Sequence, residues 1–467
     1  MKRWLGLMAC VLLIGAVAWT WTRSGSNSSG LISQATAGDA SPPAIPPESL
    51  IVHEWGTFTS YSGSDGGKLE FRPLFDDDLP GFVQDRAGGA NFLSKVSYRA
   101  LVRMETPITY FYTDRPRDVR VRVRFPQGLL TEFYPPATVS PPYKGSGEPQ
   151  VNSALDWGTV RLIPEEYLRP KLADARLASI IQQRTAAALP PIADYNNHYA
   201  YARQTDSALV YVEKQGATHF YGSGSKDHFE KFLFYRGLGG FKLPIKIVAD
   251  GNGQATINTN GRDPITWMML LEVVGEQVRF TISDGVDGGQ TKSLKLPAQF
   301  SDKEAMLARL TEALVGTGLY RREAEAMVNT WRSSWFGEEG TRLLYFVPER
   351  LTNELLPLEI EPQPTETVRV LVGRMDLMTP EQEKQVAQLV KASYDARLKF
   401  HKEQQEGTRP ADQRYELPKA VRQLGRLAEP ALVRIQHTAG DLDIVREAES
   451  LKRELIAAIQ AEEAAKK

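Results

Sequence analysis

The chain has 467 residues, of which 42% are hydrophobic and 24% are charged, and this ordinary globular composition excludes wholesale disorder. Its 56 basic and 57 acidic residues nearly cancel, which excludes the global positive field that nucleic-acid binding uses. The length predicts two or three folded units. The only cysteine, Cys10, lies in the N-terminal apolar run, so disulfides, cysteine zinc sites and thiol catalysis are excluded from the rest of the chain.

The N-terminal segment, residues 1–23, predicts export. Lys2 and Arg3 precede about 19 uncharged residues, 4–22, enough for one helix to cross a hydrocarbon core of roughly 30 Å. The basic residues orient the N-terminus towards the cytoplasm. We expect a single-pass membrane protein whose bulk is periplasmic or extracellular, and the alternative is a cleaved signal peptide and secretion. A flexible linker rich in serine, glycine and proline follows at residues 24–48.

The sequence patterns of residues 49–297 are mainly those of β-strands. In the run 119–125, apolar residues alternate with arginines, which predicts a strand with one buried face and one basic face. Two hairpins are predicted, over residues 245–258 and 267–283, because strand patterns flank glycine-containing turns. A short helical break is expected at 169–188. The patterns predict antiparallel, sandwich-like sheets.

The remaining chain mixes helices and strands. Residues 298–377 are predicted to form a helical hairpin, with helices at 302–315 and 321–335, followed by strands. Residues 378–467 are predicted to be a helical C-terminal part, opened by a threonine–proline–glutamate–glutamine capping box at 379–382 and ending in helices over 417–438 and 442–465. The predicted fold class is therefore α+β, with antiparallel β-sandwich-like domains, a helical hairpin insertion and a helical C-terminal part after one transmembrane segment.

Four sequence motifs are distinctive. They are HEWGTFT at 53–59, RMETP at 103–107, FPQGL at 125–129 and EKFLFYRG at 230–237. Together they resemble a family of predicted exported proteins of environmental bacteria that is identified by its HEWGTFT opening. The resemblance extends to the last helices and implies an extracytoplasmic compartment. Because that family has no assigned activity, the chemistry has to be argued from the residues.

The candidate catalytic residues are His53, Glu54 and Glu105. An imidazole beside a carboxylate can ligate a metal or share acid–base work. Adjacent residues of a strand point to opposite faces, however, which favours the alternative of a packed first strand with a bulge at Gly56. The histidines lack metal-ligand spacing, so a zinc or iron site requires convergence of separate strands, for instance with His198. The sequence does not strongly imply any cofactor, so the cofactor stays unknown, and any metal stays undefined.

The candidate binding residues are Arg103, Trp55, His198 and Arg236. Arg103 shares a predicted strand face with Glu105, and carboxylates beside arginines and aromatic rings suit a carbohydrate cleft. The alternative is a set of ion pairs at the strand edges around a core.

The absence of a catalytic signature favours a membrane-tethered extracytoplasmic binding or scaffold protein. Its expected partners are the membrane, through the N-terminal helix, and an envelope glycan or protein. The alternative is an extracytoplasmic hydrolase of a glycan or peptide, with or without a metal, whose site forms around His53, Glu54 and Glu105. A third hypothesis is an assembly role for the last two helices, which are rich in arginine, glutamate and alanine.

Overall fold

The computed structural model describes residues 44–72, 79–86, 99–142, 152–168, 189–192, 198–213 and 227–465. The predicted membrane segment at 1–23 and the predicted helical break at 169–188 lie outside these residues. Within the described ranges, no helix combines the length and the apolar character that a membrane crossing requires. Residues 42–467 cluster into one unit, which contains all of the described residues.

The described residues form a mixed α+β fold with three mostly antiparallel sheets. The strands are β1 (Leu50–Ser62), β2 (Lys68–Leu69), β3 (Gln84–Asp85), β4 (Val102–Thr113), β5 (Arg117–Phe125), β6 (Gly128–Tyr134), β7 (Thr138–Ser140), β8 (Ser153–Ile163), β9 (Leu209–Glu213), β10 (Asp227–Glu230), β11 (Leu233–Gly239), β12 (Ile245–Ala249), β13 (Gln254–Thr259), β14 (Met268–Val274), β15 (Gln277–Ser283), β16 (Thr291–Lys295), β17 (Gly340–Phe346), β18 (Leu358–Glu361) and β19 (Glu366–Leu377). The helices are α1 (Glu165–Leu168), α2 (His198–Ala202), α3 (Lys303–Val315), α4 (Arg321–Trp335), α5 (Glu349–Leu355), α6 (Pro380–Gln405), α7 (Lys419–Gln423), α8 (Ala428–Thr438) and α9 (Leu442–Ala465), with a 3-10 turn at Gly425–Leu427.

The largest sheet has ten strands in the order β15-β14-β17-β19-β1-β4-β11-β6-β3, with β2 paired to β1. Its strands come from both predicted segments, 49–297 and 298–377. β1 and β19 are parallel neighbours, whereas antiparallel sheets were predicted. The two strands lie far apart in the chain and no hairpin joins them, so the antiparallel pairing that a hairpin imposes does not apply to them. A six-stranded sheet contains β10-β9-β8-β5-β18 with β7 on β8, and a three-stranded sheet contains β12-β13-β16.

Two cores lie on opposite faces of the ten-stranded sheet. On the first, which we call the sheet face, Val52 and Phe58 pack with Val121 of β5 and Ile257 of β13. This packing of one sheet against others fits a β-sandwich. On the second, which we call the helix face, Trp55 packs with buried residues of α3 and α4. A third core lies between the end of the large sheet and the helices α6, α8 and α9.

Several local predictions are confirmed. Strand β5 buries its valines and turns its arginines outward. Arg122 and Arg124 contact Glu359 of β18 at 3.9 and 2.8 Å, so this basic face carries acidic partners. Both predicted hairpins form, as β12–β13 and β14–β15. Helices α3 and α4 match the predicted hairpin within one residue.

The C-terminal part is helical as predicted, with one difference. The capping box forms, because Gln382 N donates to Thr379 Oγ1 at 3.2 Å and Thr379 N donates to Gln382 Oε1 at 2.9 Å. The helix predicted over 417–438 is instead α7, the 3-10 turn and α8. Gly425 takes a φ of 56° there, which a right-handed helix cannot continue through.

Candidate functional site

A β-bulge between β1 and β4 decides which side chains meet on the helix face. Trp55 pairs with Ile108, but Thr57 pairs with Glu105, so β4 carries one extra residue opposite Gly56. Because strand side chains alternate, the extra residue turns Glu105 to the helix face. Without it, Glu105 would point into the apolar core of the sheet face.

Glycine is required at the bulge. A β-carbon on Gly56 would lie 2.9 Å from the Cα atom of Pro107, closer than real contacts allow. Thr106 adopts a φ of 47° beside it, which completes the distortion of β4. The prediction of a bulge at Gly56 is therefore confirmed, and Arg103 reaches the helix face together with Glu105.

An ion-pair network of alternating charge crosses the helix face where β4, β1, β19 and β17 lie side by side. In order of contact, its members are Arg103, Glu105, Arg426, Glu338, Arg374, Asp376 and Arg342. The successive nitrogen–oxygen distances are 3.3, 3.5, 3.1, 2.8, 2.9 and 3.0 Å. Two members lie outside the sheet, since Arg426 belongs to the 3-10 turn and Glu338 to the loop between α4 and β17.

Glu105 is ionised although only 1% of it is exposed. Burial alone would raise the pKa of its carboxyl, but the charges of Arg103 and Arg426 outweigh burial. With a hydrogen bond donated by Thr59 at 2.6 Å and the further charge of Arg236, they hold this pKa at about 2. A group with so low a pKa has no proton to donate at neutral pH, so Glu105 is unsuited to act as a general acid.

The arginines keep their charge in spite of burial. Burial lowers the pKa of Arg342, but only to about 10. Burial also opposes the charge of Arg374, yet Asp376 and Glu338 outweigh it and raise the pKa of that guanidinium. The Nη1 atom of Arg374 is buried and has no hydrogen-bond partner among the described residues.

Guanidinium groups are the most numerous charged groups among the described members of the network. The network contains four arginines and three carboxylates. Arg236, which is 1% exposed, contributes a fifth guanidinium whose charge acts on Glu105.

A cleft open to solvent reaches the network between the sheet and α8. Its lining includes Thr59, Tyr61, Arg103, Glu105 and Arg426, and it holds about 390 Å³ of space counting its mouth. The inner end is narrow, with room for little more than a water-sized group. Burial raises the pKa of Tyr61, so the phenol is neutral there. Guanidinium groups beside a small polar cavity are suited to hold the oxygens of a carboxylate or phosphate.

His53 lies elsewhere on the helix face. It is fully buried, and its Nδ1 atom lies 2.7 Å from Oε2 of Glu323, whose other oxygen accepts a hydrogen bond from Tyr112 at 2.7 Å. His53 lies four positions along β1 from Thr57, the partner of Glu105. At the usual rise per strand residue, this separation is about 13 Å.

Glu54 points to the opposite face of the sheet. Its carboxylate accepts hydrogen bonds from Arg369 Nε at 2.8 Å, Tyr235 Oη at 2.6 Å and Thr109 Oγ1 at 3.1 Å. Arg369 also contacts it through Nη2 at 2.6 Å, and both side chains are almost fully buried. The structure therefore does not bring the candidate catalytic residues together, because strand alternation separates Glu54 from His53 and distance separates His53 from Glu105.

The candidate binding residues divide in the same way. Arg103 and Arg236 lie with Glu105, whereas Trp55 is fully buried in the helix-face core, 6.4 Å from the ring of Tyr110. The backbone of His198 begins α2. In the described ranges, no three histidine, cysteine or acidic side chains are grouped so that they could hold a metal ion.

Sequence reasoning missed most of the network. The residues it did not identify are Arg342, Arg374, Asp376, Arg426 and Glu338. Three of them lie in strands that are otherwise apolar, and charged residues inside buried strands are uncommon unless they are paired. Charged residues within an apolar strand pattern could therefore have indicated buried ion pairs in β17 and β19. Arg426 and Glu338 lie in turns, where no pattern distinguishes them from solvated charges.

Comparison with known proteins finds no family for this chain. No protein-family model matches the chain, and no curated protein matches it in sequence. The function has to be argued from the site itself.

Proposed function

We propose that the protein is an extracytoplasmic binding protein that recognises an anionic group, a carboxylate or a phosphate, at the cleft beside the ion-pair network. The observation that carries the proposal is a cleft open to solvent whose lining includes Arg103 and Arg426, two arginines of the buried network. Arg374, which contacts the same carboxylate as Arg426, has a buried Nη1 atom without a hydrogen-bond partner among the described residues. A buried donor without a partner is costly, and an anionic ligand would accept hydrogen bonds from these guanidinium groups.

The network is rigidly held, which suits recognition. Arg103, Arg342 and Arg374 project from three strands of one sheet, and their charged contacts limit the rotamers that they can adopt. An arginine that is fixed before binding loses little entropy when a ligand arrives. Its planar guanidinium offers two parallel donors to a carboxylate or phosphate.

The hydrolase alternative has less support. Its three residues lie at separate places, and the low pKa of Glu105 removes the proton that a general acid needs. Glu54 is held by three donors and lies on the other face of the sheet.

The proposed location is the outer side of the cytoplasmic membrane. The charged start and apolar run of residues 1–23 support a membrane anchor, and the resemblance to exported HEWGTFT proteins supports the same compartment. We propose an envelope glycan or protein bearing anionic groups as the partner, and sandwich-like sheets with a helical hairpin as its scaffold. Protease added to spheroplasts should degrade the folded part, whereas complete protection would contradict this location.

Titration calorimetry of the full chain tests the binding proposal. Phosphate, sulfate and acetate are each titrated at constant ionic strength, with chloride as the reference. Arg426→Gln should weaken binding about tenfold, since a hydrogen bond to a charged group contributes roughly 1.5–3 kcal/mol.

Arg422→Gln is the matched control. Arg422 belongs to the neighbouring helix α7 and pairs with Glu462 at the surface, outside the cleft. The same loss of charge there should change affinity less than twofold, because exposed charges are screened. The absence of binding by every anion, or equal effects of the two substitutions, would refute the proposal.

A further inference from the structure

The cleft beside the ion-pair network contains two hydrogen-bond donors that no described residue uses. Arg426 contacts Glu338 through Nε at 3.1 Å and Glu105 through Nη1 at 3.5 Å, and its Nη2 atom donates no hydrogen bond to the described residues. The phenol of Tyr61 likewise makes no hydrogen bond with them. Neither donor atom is sealed from solvent, and both side chains line the cleft. One charged N–H donor and one neutral O–H donor are therefore available to a ligand in the cleft.

Tyr61 is held in place beside the charges of the network. Its side chain is 4% exposed, and its ring packs edge-on against Phe71 with the ring centroids 4.8 Å apart. Burial, together with the charge of Asp376, raises the pKa of the phenol above its ordinary value of 10 against the opposing charge of Arg426. The phenol is therefore protonated at neutral pH. A packed ring that keeps its proton is a donor that loses little entropy when a ligand binds.

The shape and charge of the cleft favour a flat ligand group with one negative charge. The inner end has room for little more than a water-sized group, which admits the edge of a planar carboxylate more readily than the four oxygens of a tetrahedral phosphate or sulfate. The ionised carboxylate of Glu105 lines the same space. It would repel a ligand with two negative charges more strongly than a ligand with one.

We propose that Tyr61 and Arg426 form a two-point site for a monocarboxylate, in which Nη2 of Arg426 donates to one ligand oxygen and the phenol of Tyr61 donates to the other. The proposal rests on the binding function proposed above and adds the class of the ligand and a residue that determines its specificity. Two donors match the two oxygens of a carboxylate, whereas a phosphate or sulfate would leave further oxygens without a donor from this pair.

The test compares the full chain with Tyr61→Phe by calorimetric titration with acetate, inorganic phosphate and sulfate at constant ionic strength. The substitution removes the donor and keeps the ring that packs on Phe71. Acetate should bind the unmodified chain about tenfold more tightly than phosphate or sulfate does. Tyr61→Phe should weaken the binding of acetate about tenfold, because a hydrogen bond to a charged group is lost.

Tyr345→Phe is the matched control. Tyr345 is 1% exposed and packs in the core of the sheet face, where its hydroxyl has no hydrogen-bond partner among the described residues. Removing the same group there should change the affinity for acetate less than about twofold, because distant sites act independently.

A thermal measurement keeps the proposal testable if a variant is less stable than the unmodified chain. Acetate at a hundredfold excess over the Kd of the unmodified chain should raise Tm equally in the unmodified chain and in Tyr345→Phe. At the same concentration the rise should be smaller in Tyr61→Phe, measured against the Tm of that variant without acetate. An equal rise in all three chains would refute the role of Tyr61.

The outcomes separate this proposal from the binding function. If acetate binds the unmodified chain, Tyr61→Phe and Tyr345→Phe equally, the role of Tyr61 is refuted and the binding function stands. If phosphate or sulfate binds the unmodified chain as tightly as acetate, the carboxylate class is refuted. If none of the three anions binds, the proposed function itself fails.

Discussion

Replacing Glu54 by glutamine should destabilise the fold without affecting anion binding. The substitution preserves the shape of the side chain but removes its charge, which leaves the guanidinium of Arg369 buried without a counter-ion. Removing one partner of a buried ion pair lowers the free energy of unfolding by about 3–5 kcal/mol. For the unit of residues 42–467, an unfolding entropy of about 2.1 cal/mol/K per residue converts each kcal/mol into about 1 °C, so Tm should fall by about 3–5 °C.

Differential scanning calorimetry of the full chain measures this change, and Glu359→Gln is the matched control. Glu359 pairs with Arg124 at 2.8 Å, but both side chains are more than 40% exposed. Exposed pairs contribute about 0–1 kcal/mol, so the control should shift Tm by about 1 °C or less.

A double substitution identifies the cause. Glu54→Gln combined with Arg369→Met also removes the buried guanidinium that has lost its counter-ion. The double variant should therefore be more stable than Glu54→Gln alone, because apolar residues can replace a buried ion pair at little cost in stability. Equal Tm values for Glu54→Gln and Glu359→Gln would refute the structural role of Glu54. Lost anion binding in Glu54→Gln, with the fold intact, would restore Glu54 as a site residue.

Three further predictions concern the bulge, the acid range and the buried histidine. Gly56→Ala should lower the free energy of unfolding by about 1–3 kcal/mol, because its β-carbon would meet Pro107. Gly240→Ala, which has open space around it, should lower it by less than about 1 kcal/mol. Thermal unfolding compares the two variants. The pKa of Glu105 lies at about 2 in the folded chain, below its usual 4.5. The stability that its ionised carboxylate contributes is therefore fully present above pH 4.5 and is lost as the pH falls towards 2. Tm should therefore fall more steeply between about pH 5 and pH 3 in the unmodified chain than in Glu105→Gln, and parallel curves would contradict the assigned pKa. His53→Leu leaves the carboxyl group of Glu323 buried without one of its hydrogen-bond partners and should lower the free energy of unfolding by about 1–3 kcal/mol, equally with and without a chelator. A chelator-dependent difference would indicate a metal site instead.

The bulge at Gly56 links the sequence motif to the site. Of the HEWGTFT residues, Gly56 allows the close approach of Pro107, and Thr59 donates to Glu105. Of the two residues that attracted the chemical interpretation, His53 is held by a buried hydrogen bond to Glu323 and Glu54 by a buried ion pair with Arg369. A motif of this kind can therefore be distinctive because it shapes the sheet around a site.

Local patterns predicted the elements well where one periodicity dominated. The alternation in β5, the capping box of α6 and the bounds of α3 and α4 follow from interactions between residues close in sequence. The break between α7 and α8 was missed, because a single glycine inside an apolar pattern is compatible with a helix until its φ is known.

The sequence by itself determined the α+β class, most strands and helices, and the nearly balanced total charge. Only the tertiary structure decided that Arg103 and Glu105 meet Arg374, Asp376 and Arg426. These residues come from strands and a turn far apart in the chain, and their meeting depends on the parallel pairing of β1 with β19 and on one extra residue in β4. Because side chains of a strand alternate, a shift of one residue would have placed the same charges on the opposite face, and no local pattern records that choice.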